Sequence, residues 1–86
     1  MPQKKILIVE SDPDLASQLE NGLNDSFEIL IALSGSDGLK LAQNNKPEAI
    51  ILDFILPKMN GFQLTTELKK DASLSKTKIF LLTDNA

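Results

Sequence analysis

Four short apolar runs, each a helix length from the next, constrain this chain more than any other feature. They are Ile6–Val9, Phe27–Ala32, Ile50–Leu52 and Ile79–Leu82. Apolar, β-branched runs of this length read as strands, and the unbroken ones as strands buried on both faces. The segments between them read as helices. Asp12-Pro13 is an N-cap followed by proline at the first helical position, and Leu15, Ala16, Leu19 and Leu23 follow at helical spacing. Ser34-Gly35-Ser36 leads into Leu39 and Ala42, and Asn60-Gly61 leads into Leu64 and Leu68. The spacing predicts strands at about 5–10, 27–32, 49–53 and 79–82, and helices at about 13–24, 36–45 and 61–71. Each crossover is long enough to hold a helix, so the strands are expected to be parallel and the connections right-handed.

At 86 residues the chain has material for one small domain and a modest core. The net charge of −3 comes from interspersed acids and lysines. No basic stripe marks a nucleic-acid surface. Cysteine is absent, which excludes disulfides and thiolate metal sites. Histidine is absent too, which excludes histidine-based acid–base catalysis and serine–histidine triads. No apolar run approaches the length of a membrane span, and the N-terminus lacks a signal-peptide pattern. A cytoplasmic location without membrane association is therefore expected.

The candidate site lies where the strands end. The run Ile50–Leu52 closes on Asp53, and turn residues Pro57 and Asn60-Gly61 follow. Ile6–Val9 closes on Glu10 and Asp12, and Ile79–Leu82 closes on Thr83. The C-terminal ends of parallel strands are where α/β sheets form sites. Carboxylates gathered there repel one another, and a hard divalent cation such as Mg²⁺ relieves the repulsion. A carboxylate beside a metal and a hydroxyl has the parts needed to accept a phosphoryl group. Other features have plainer readings. Ser34, Gly35, Ser36 and Gly38 match neither the dinucleotide fingerprint nor the Walker pattern. Phe27, Phe54, Phe62 and Phe80 are expected in core or loop packing, Met59 in loop packing, and Lys69-Lys70 on a solvated helix face.

The chain resembles the receiver domain of bacterial response regulators, the CheY-like superfamily. The resemblance rests on Lys5 to Asp12, on Leu52 to Gly61, and on Leu81-Leu82-Thr83. It implies a flavodoxin-like α/β fold, a doubly wound parallel sheet in the order 2-1-3-4. It implies Asp53 as phosphoacceptor and Thr83 as switch hydroxyl. Mg²⁺ would be held by Glu10, Asp53 and the backbone carbonyl of Ile55, with Asp12 or Ser11 as a further ligand, and weakly, because Ser11 stands where the family has an acid. The implied partners are a histidine kinase or phosphotransfer protein as donor, and an output domain or partner protein as reader. The family catalyses its own phosphorylation and slow dephosphorylation but does not process a metabolite.

Three departures bear on function. The family's first corner carries two adjacent acids, and here the second position is Ser11; Asp12 either substitutes as a metal ligand or caps the first helix. The residue after the switch hydroxyl is usually small, and here it is Asp84. The family continues through a fourth helix, a fifth strand ending in a lysine, and a fifth helix. Residues 1–86 therefore resemble one receiver-like domain truncated after the fourth strand, which leaves an open strand edge and a half-covered sheet face. Such a chain is expected to form a homodimer, to exchange elements, or to be only marginally stable on its own. Two alternatives stay open. One is a pseudo-receiver that acts by protein contact without phosphorylation. The other is an aspartate-nucleophile phosphatase, in which the second Asp of that site would fall at Ile55.

Overall fold

The computed structural model describes residues 3–82, and within them strands and helices alternate. The strands are β1 Lys5–Val9, β2 Glu28–Ala32, β3 Ala49–Asp53 and β4 Lys78–Leu82. The helices are α1 Pro13–Leu23, α2 Gly35–Asn45 and α3 Gly61–Lys69, and a single 3₁₀ turn spans Ala72–Leu74. The four strands form one sheet in the order β2-β1-β3-β4, parallel throughout. Both the order and the parallel pairing agree with the sequence reading. No helix among the described residues is long and apolar enough to cross a membrane.

The pleat sends alternate residues of each strand to opposite faces, and each face has its own core. Leu7, Val9, Ile50 and Leu52 face α2 and α3, where they pack with Ala42, Leu64, Leu68 and Leu74. Ile6, Ile8 and Ala49 face the other way and pack under Ala16, Leu19 and Leu23 of α1. Leu7, Ile50 and Leu52 are fully buried, as central strands covered on both sides require. Burying a leucine or isoleucine side chain contributes about 1.5–3 kcal/mol, so these few central residues carry much of the stability.

Side chains set the helix ends. Asp12 caps α1 and Pro13 occupies its first turn, as the sequence indicates. Ser34 caps α2, which starts at Gly35, one residue earlier than its spacing suggests. Asn60 and Gln63 form a capping box on α3. That helix ends at Lys69 rather than at about 71, because Asp71 caps the separate 3₁₀ turn by accepting from the Ser73 backbone N–H at 2.9 Å. β2 begins at Glu28 rather than Phe27, whose N–H still belongs to the α1 exit through the Leu23 carbonyl at 3.2 Å.

The phenylalanines correct one expectation. Phe27 packs under α1, but Phe54, Phe62 and Phe80 are 39, 66 and 53% exposed. Phe80 lies on the α1 side of β4, and α1 packs mainly over β1 and β2. Phe62 lies in the first turn of α3 and lines an open groove with Leu74, Ile79 and Leu81.

Candidate functional site

Parallel pairing brings the ends of β1, β3 and β4 level: Val9 pairs with Leu52, and Asp53 pairs with Leu82. Glu10 extends β1 by one more ladder bond, its N–H donating to the Ala32 carbonyl at 3.0 Å. Its side chain is 3% exposed. A buried carboxylate is costly unless it is paired or hydrogen-bonded. Here the compensation is partial: Glu10 Oε2 accepts the Asp12 backbone N–H at 3.1 Å. Burial pushes the Glu10 carboxyl above its ordinary range, against that hydrogen bond, and the neighbouring Asp53 carboxylate pushes it the same way. The structure thus brings Glu10 and Asp53 together. Neither ion pair found among the described residues, Lys4–Glu48 or Glu67–Lys70, involves them.

Asp12 has a different task. Its Oδ1 accepts the Asp14 backbone N–H at 2.9 Å, and its side chain is exposed to solvent. Pro13 has no N–H, so Asp14 offers the first donor of α1, and Asp12 satisfies it. Of the two roles the sequence allows Asp12, this arrangement is the cap. Ser11, half-buried, sits between the buried acid and the capping acid. Among the described residues, no group of three or more carboxylates is arranged to hold a metal ion. Thr83 and Asp84 lie outside the described residues; the strand that leads to them ends in register with Asp53.

The loop after Asp53 is held from several sides. The Phe54 N–H donates to Leu82 at 2.9 Å, and the Phe54 carbonyl accepts from Gly61 at 2.7 Å. Leu56 is buried in the core on the α2/α3 side, and Met59 packs against the same cluster. A side chain at Gly35 would begin 3.1 Å from Met59 Sδ, so the N-terminus of α2 is the seat for this loop. Met59 packs the loop as expected. Ile55 exposes its side chain, 62% accessible. Lys58 takes the left-handed conformation at φ 67°, which side chains other than glycine, asparagine and aspartate rarely adopt.

Gly61 is a position beside the candidate site that the sequence reading passed over as turn chemistry. A Cβ there would stand 2.4 Å from the Asp53 carbonyl oxygen and 2.6 Å from Leu81 Cδ1. The first turn of α3 therefore lies directly on the peptide that carries Asp53. The only signal in the sequence is a glycine at a helix start eight residues after the acid, which many loops share.

The donor set suits a hard divalent cation. Two carboxylates and a neighbouring loop carbonyl are the oxygen ligands Mg²⁺ takes, with waters or phosphate oxygens completing its shell. A cation there would relieve the repulsion that now falls on Glu10.

Comparison with known proteins agrees with this architecture. The family model for the response regulator receiver domain matches residues 6–86, and the chain belongs to that family. It is 36% identical over 80 residues to Protein PilH of Pseudomonas aeruginosa, covering 92% of this chain and 66% of PilH. It is 41% identical over 81 residues to Histidine kinase P4 of Formosa agariphila, covering 94% of this chain and 6% of that protein. The chain thus spans about two thirds of PilH and a small part of the kinase. The high-resolution structure of chemotaxis response regulator CheY4 of Vibrio cholerae superposes with a TM-score of 0.93 at 26% identity, covering 98% of this chain and 71% of that one. The fold is the flavodoxin-like receiver fold, with its first four strands in the order 2-1-3-4.

Proposed function

We propose that this chain is the phosphoacceptor domain of a two-component phosphorelay, phosphorylated on Asp53 by a partner histidine kinase or phosphotransfer protein. The supporting observation is the pairing of buried Glu10 with Asp53 at the level strand ends. Two acids placed together without a salt-bridge partner do nothing for the core, whereas they suit a cation and a phosphoryl group.

An Asp53 carboxylate oxygen attacks the phosphorus of a donor phosphohistidine in line with the P–N bond. The new O–P bond forms as the P–N bond breaks, and its electron pair returns to the ring, which leaves as neutral imidazole when its other nitrogen is protonated. Glu10, Asp53 and the Ile55 carbonyl would hold Mg²⁺, which when bound neutralises charge on the phosphoryl oxygens. Glu10 is fixed for this by its strand position and by the Asp12 N–H. Thr83 would donate its hydroxyl to a phosphoryl oxygen and report the modification to an output domain or partner protein. Hydrolysis of the acyl phosphate by water returns the free carboxylate slowly. The domain does not turn over a metabolite, and its setting is the cytoplasm.

Acetyl phosphate with Mg²⁺ tests this in the full-length protein. One acid-labile, base-labile phosphoryl group is expected, and Asp53→Asn should abolish it. Modification that survives in Asp53→Asn would move the site elsewhere.

One observation favours the pseudo-receiver as a second reading. With Asp12 spent on the α1 cap, nothing among the described residues replaces the carboxylate missing at Ser11. Under that reading the protein binds its partner equally well with and without phosphoryl donor. The phosphatase reading has no such support, since Ile55 is apolar and cannot serve as its second acid.

A further inference from the structure

We propose that the outer edge of β4 pairs with β4 of a second copy of this chain, antiparallel and about a two-fold axis at Phe80, so that two sheets join into one. The inference does not depend on the role of Asp53. It follows from which backbone groups β4 turns outward and which side chains stand beside them.

Among the described residues, β4 pairs with β3 on one side and with no strand on the other. The Lys78 N–H donates to the Glu48 carbonyl at 3.1 Å, and the Leu82 carbonyl accepts the Phe54 N–H at 2.9 Å. Lys78, Phe80 and Leu82 therefore turn their backbone groups toward β3. By the alternation of a strand, Ile79 and Leu81 turn theirs outward, where a further strand would dock. Natural edge strands are protected by proline, by charges or by a covering element. β4 has no proline and carries a single charge, Lys78 at its start. Phe80, Leu81 and Leu82 are 53, 38 and 39% exposed. The opposite edge differs. In β2 only Glu28 is exposed, because Ile29 and Ile31 pack on the α1 side and Leu30 on the α2 side.

A second copy fits the edge of β4 in the one register that uses all of the strand. Ile79 then stands opposite Leu81 of the second copy, and Leu81 opposite its Ile79, each pair exchanging two hydrogen bonds. Phe80 falls on the axis, in a non-hydrogen-bonded pair with Phe80 of the second copy, where Cα atoms stand about 4.5 Å apart. Both rings lie on the α1 side, and aromatic pairs directly across two strands are favourable. Lys78 falls opposite Leu82, which keeps the two lysines roughly 13 Å apart along the strand. Apolar residues thus meet apolar residues, and no charge meets a like charge. Such self-complementarity is what a two-fold contact between identical patches requires. The strand offers on the order of 400 Å² per copy, about half of a standard interface, so the expected dimer is weak and concentration-dependent.

Sedimentation velocity of the chain of residues 1–86, from about 5 to about 500 μM, spans the range expected for so small an interface. Wild type should pass from monomer to dimer within it. Phe80→Lys and Phe80→Glu each set like charges on the axis, and each should weaken the dimer at least tenfold. Their equimolar mixture should recover it, because lysine then faces glutamate. Phe80 is exposed, so both variants should fold, which circular dichroism checks. The chain has no cysteine, so a single introduced one reports the register. Under mild oxidation Phe80→Cys should give a disulfide-linked dimer, since the Cα separation on the axis suits a disulfide. Leu82→Cys should not, because its counterpart lies roughly 13 Å away along the strand. Wild type that stays monomeric throughout would overturn the proposal. So would a dimer that Phe80→Lys leaves intact, because the contact would then lie elsewhere. A dimer that the mixed charge variants fail to restore, and that Leu82→Cys cross-links as readily as Phe80→Cys, would overturn the strand pairing.

Discussion

Adding one methyl group at Gly61 measures how tightly the end of β3 is held. The new Cβ would stand 2.4 Å from the Asp53 carbonyl oxygen, 2.6 Å from Leu81 Cδ1 and 2.8 Å from Leu52 Cδ1. A carbon–oxygen contact settles at roughly 3.3 Å, so the carbonyl contact must open by about 0.9 Å. Leu81 and Leu52 can turn their methyl groups aside. The carbonyl cannot, because the peptide that follows it is tied to Leu82 at 2.9 Å and to Gly61 itself at 2.7 Å. Either α3 lifts from the sheet or the Asp53 peptide rotates and carries the carboxylate with it. Overpacking of this kind costs about 1–3 kcal/mol, and the better helix propensity of alanine returns at most about 1 kcal/mol. Gly61→Ala should therefore lose about 1–2 kcal/mol, which lowers Tm by roughly 5–15 °C in a domain of this size. Gly38→Ala is the matched control: its Cβ would meet the methyl groups of Val9, at 2.8 and 3.1 Å, and no backbone atom within that reach. Urea unfolding measures stability, and acetyl phosphate labelling measures the site. At a temperature where both variants are folded, Gly61→Ala should label at least tenfold more slowly, while Gly38→Ala labels like wild type. A Gly61→Ala protein with wild-type stability and wild-type labelling would refute the reasoning.

Three further outcomes are expected. In metal-free buffer, wild type should lose stability relative to Glu10→Gln as pH rises, because the folded-state pKa of Glu10 lies above its unfolded value and the folded state binds more protons across that window; a difference that stays constant in urea unfolding from about pH 4 to 8 would contradict this. Lys58→Gly and Lys46→Gly should each stabilise by about 0.5–1 kcal/mol, since both lysines are left-handed, at φ 67° and 47°, and either variant melting below wild type would count against the strain argument. The chain of residues 1–86 should self-associate through the exposed apolar face of β4, where Phe80 and Leu82 are 53 and 39% accessible, so light scattering should show an assembly that Phe80→Thr weakens.

The parts of the fold legible in the sequence were those fixed by local chemistry. Apolar runs specify buried strands whatever their surroundings, and helix-length crossovers force parallel pairing, whereas the strand order came from the family resemblance. Asp12-Pro13 was legible as a cap because both residues act on their immediate neighbours. The reading placed acids at strand ends, and the register brings the ends that carry Glu10 and Asp53 side by side. What was not legible depends on distance across the fold. Nothing local distinguishes a glycine that starts a helix from one that must let a helix touch a carbonyl, as Gly61 does. The exposure of Phe80 depends on how far α1 reaches across the sheet, which no residue near Phe80 encodes. The cap at Asp12 has a direction that residue type alone does not specify: its Oδ1 accepts the Asp14 N–H.

Glu10 shows how the site and the fold compete. A sequence selected only for stability would place an apolar or amide side chain where β1 leaves the sheet, because a carboxylate there is desolvated and faces a second acid. The hydrogen bond from the Asp12 N–H offsets part of that cost, and it is available because Asp12 is held at the helix start by its own cap. The cap thus does two things at once: it starts α1, and it aims a backbone donor at the buried acid. Replacing Asp12 with alanine should therefore disturb Glu10 as well as the helix, whereas asparagine, which caps equally well, should disturb neither. On this argument the acid at position 10 is carried at a cost to stability, which the proposed role of the paired carboxylates in receiving a cation and a phosphoryl group would account for.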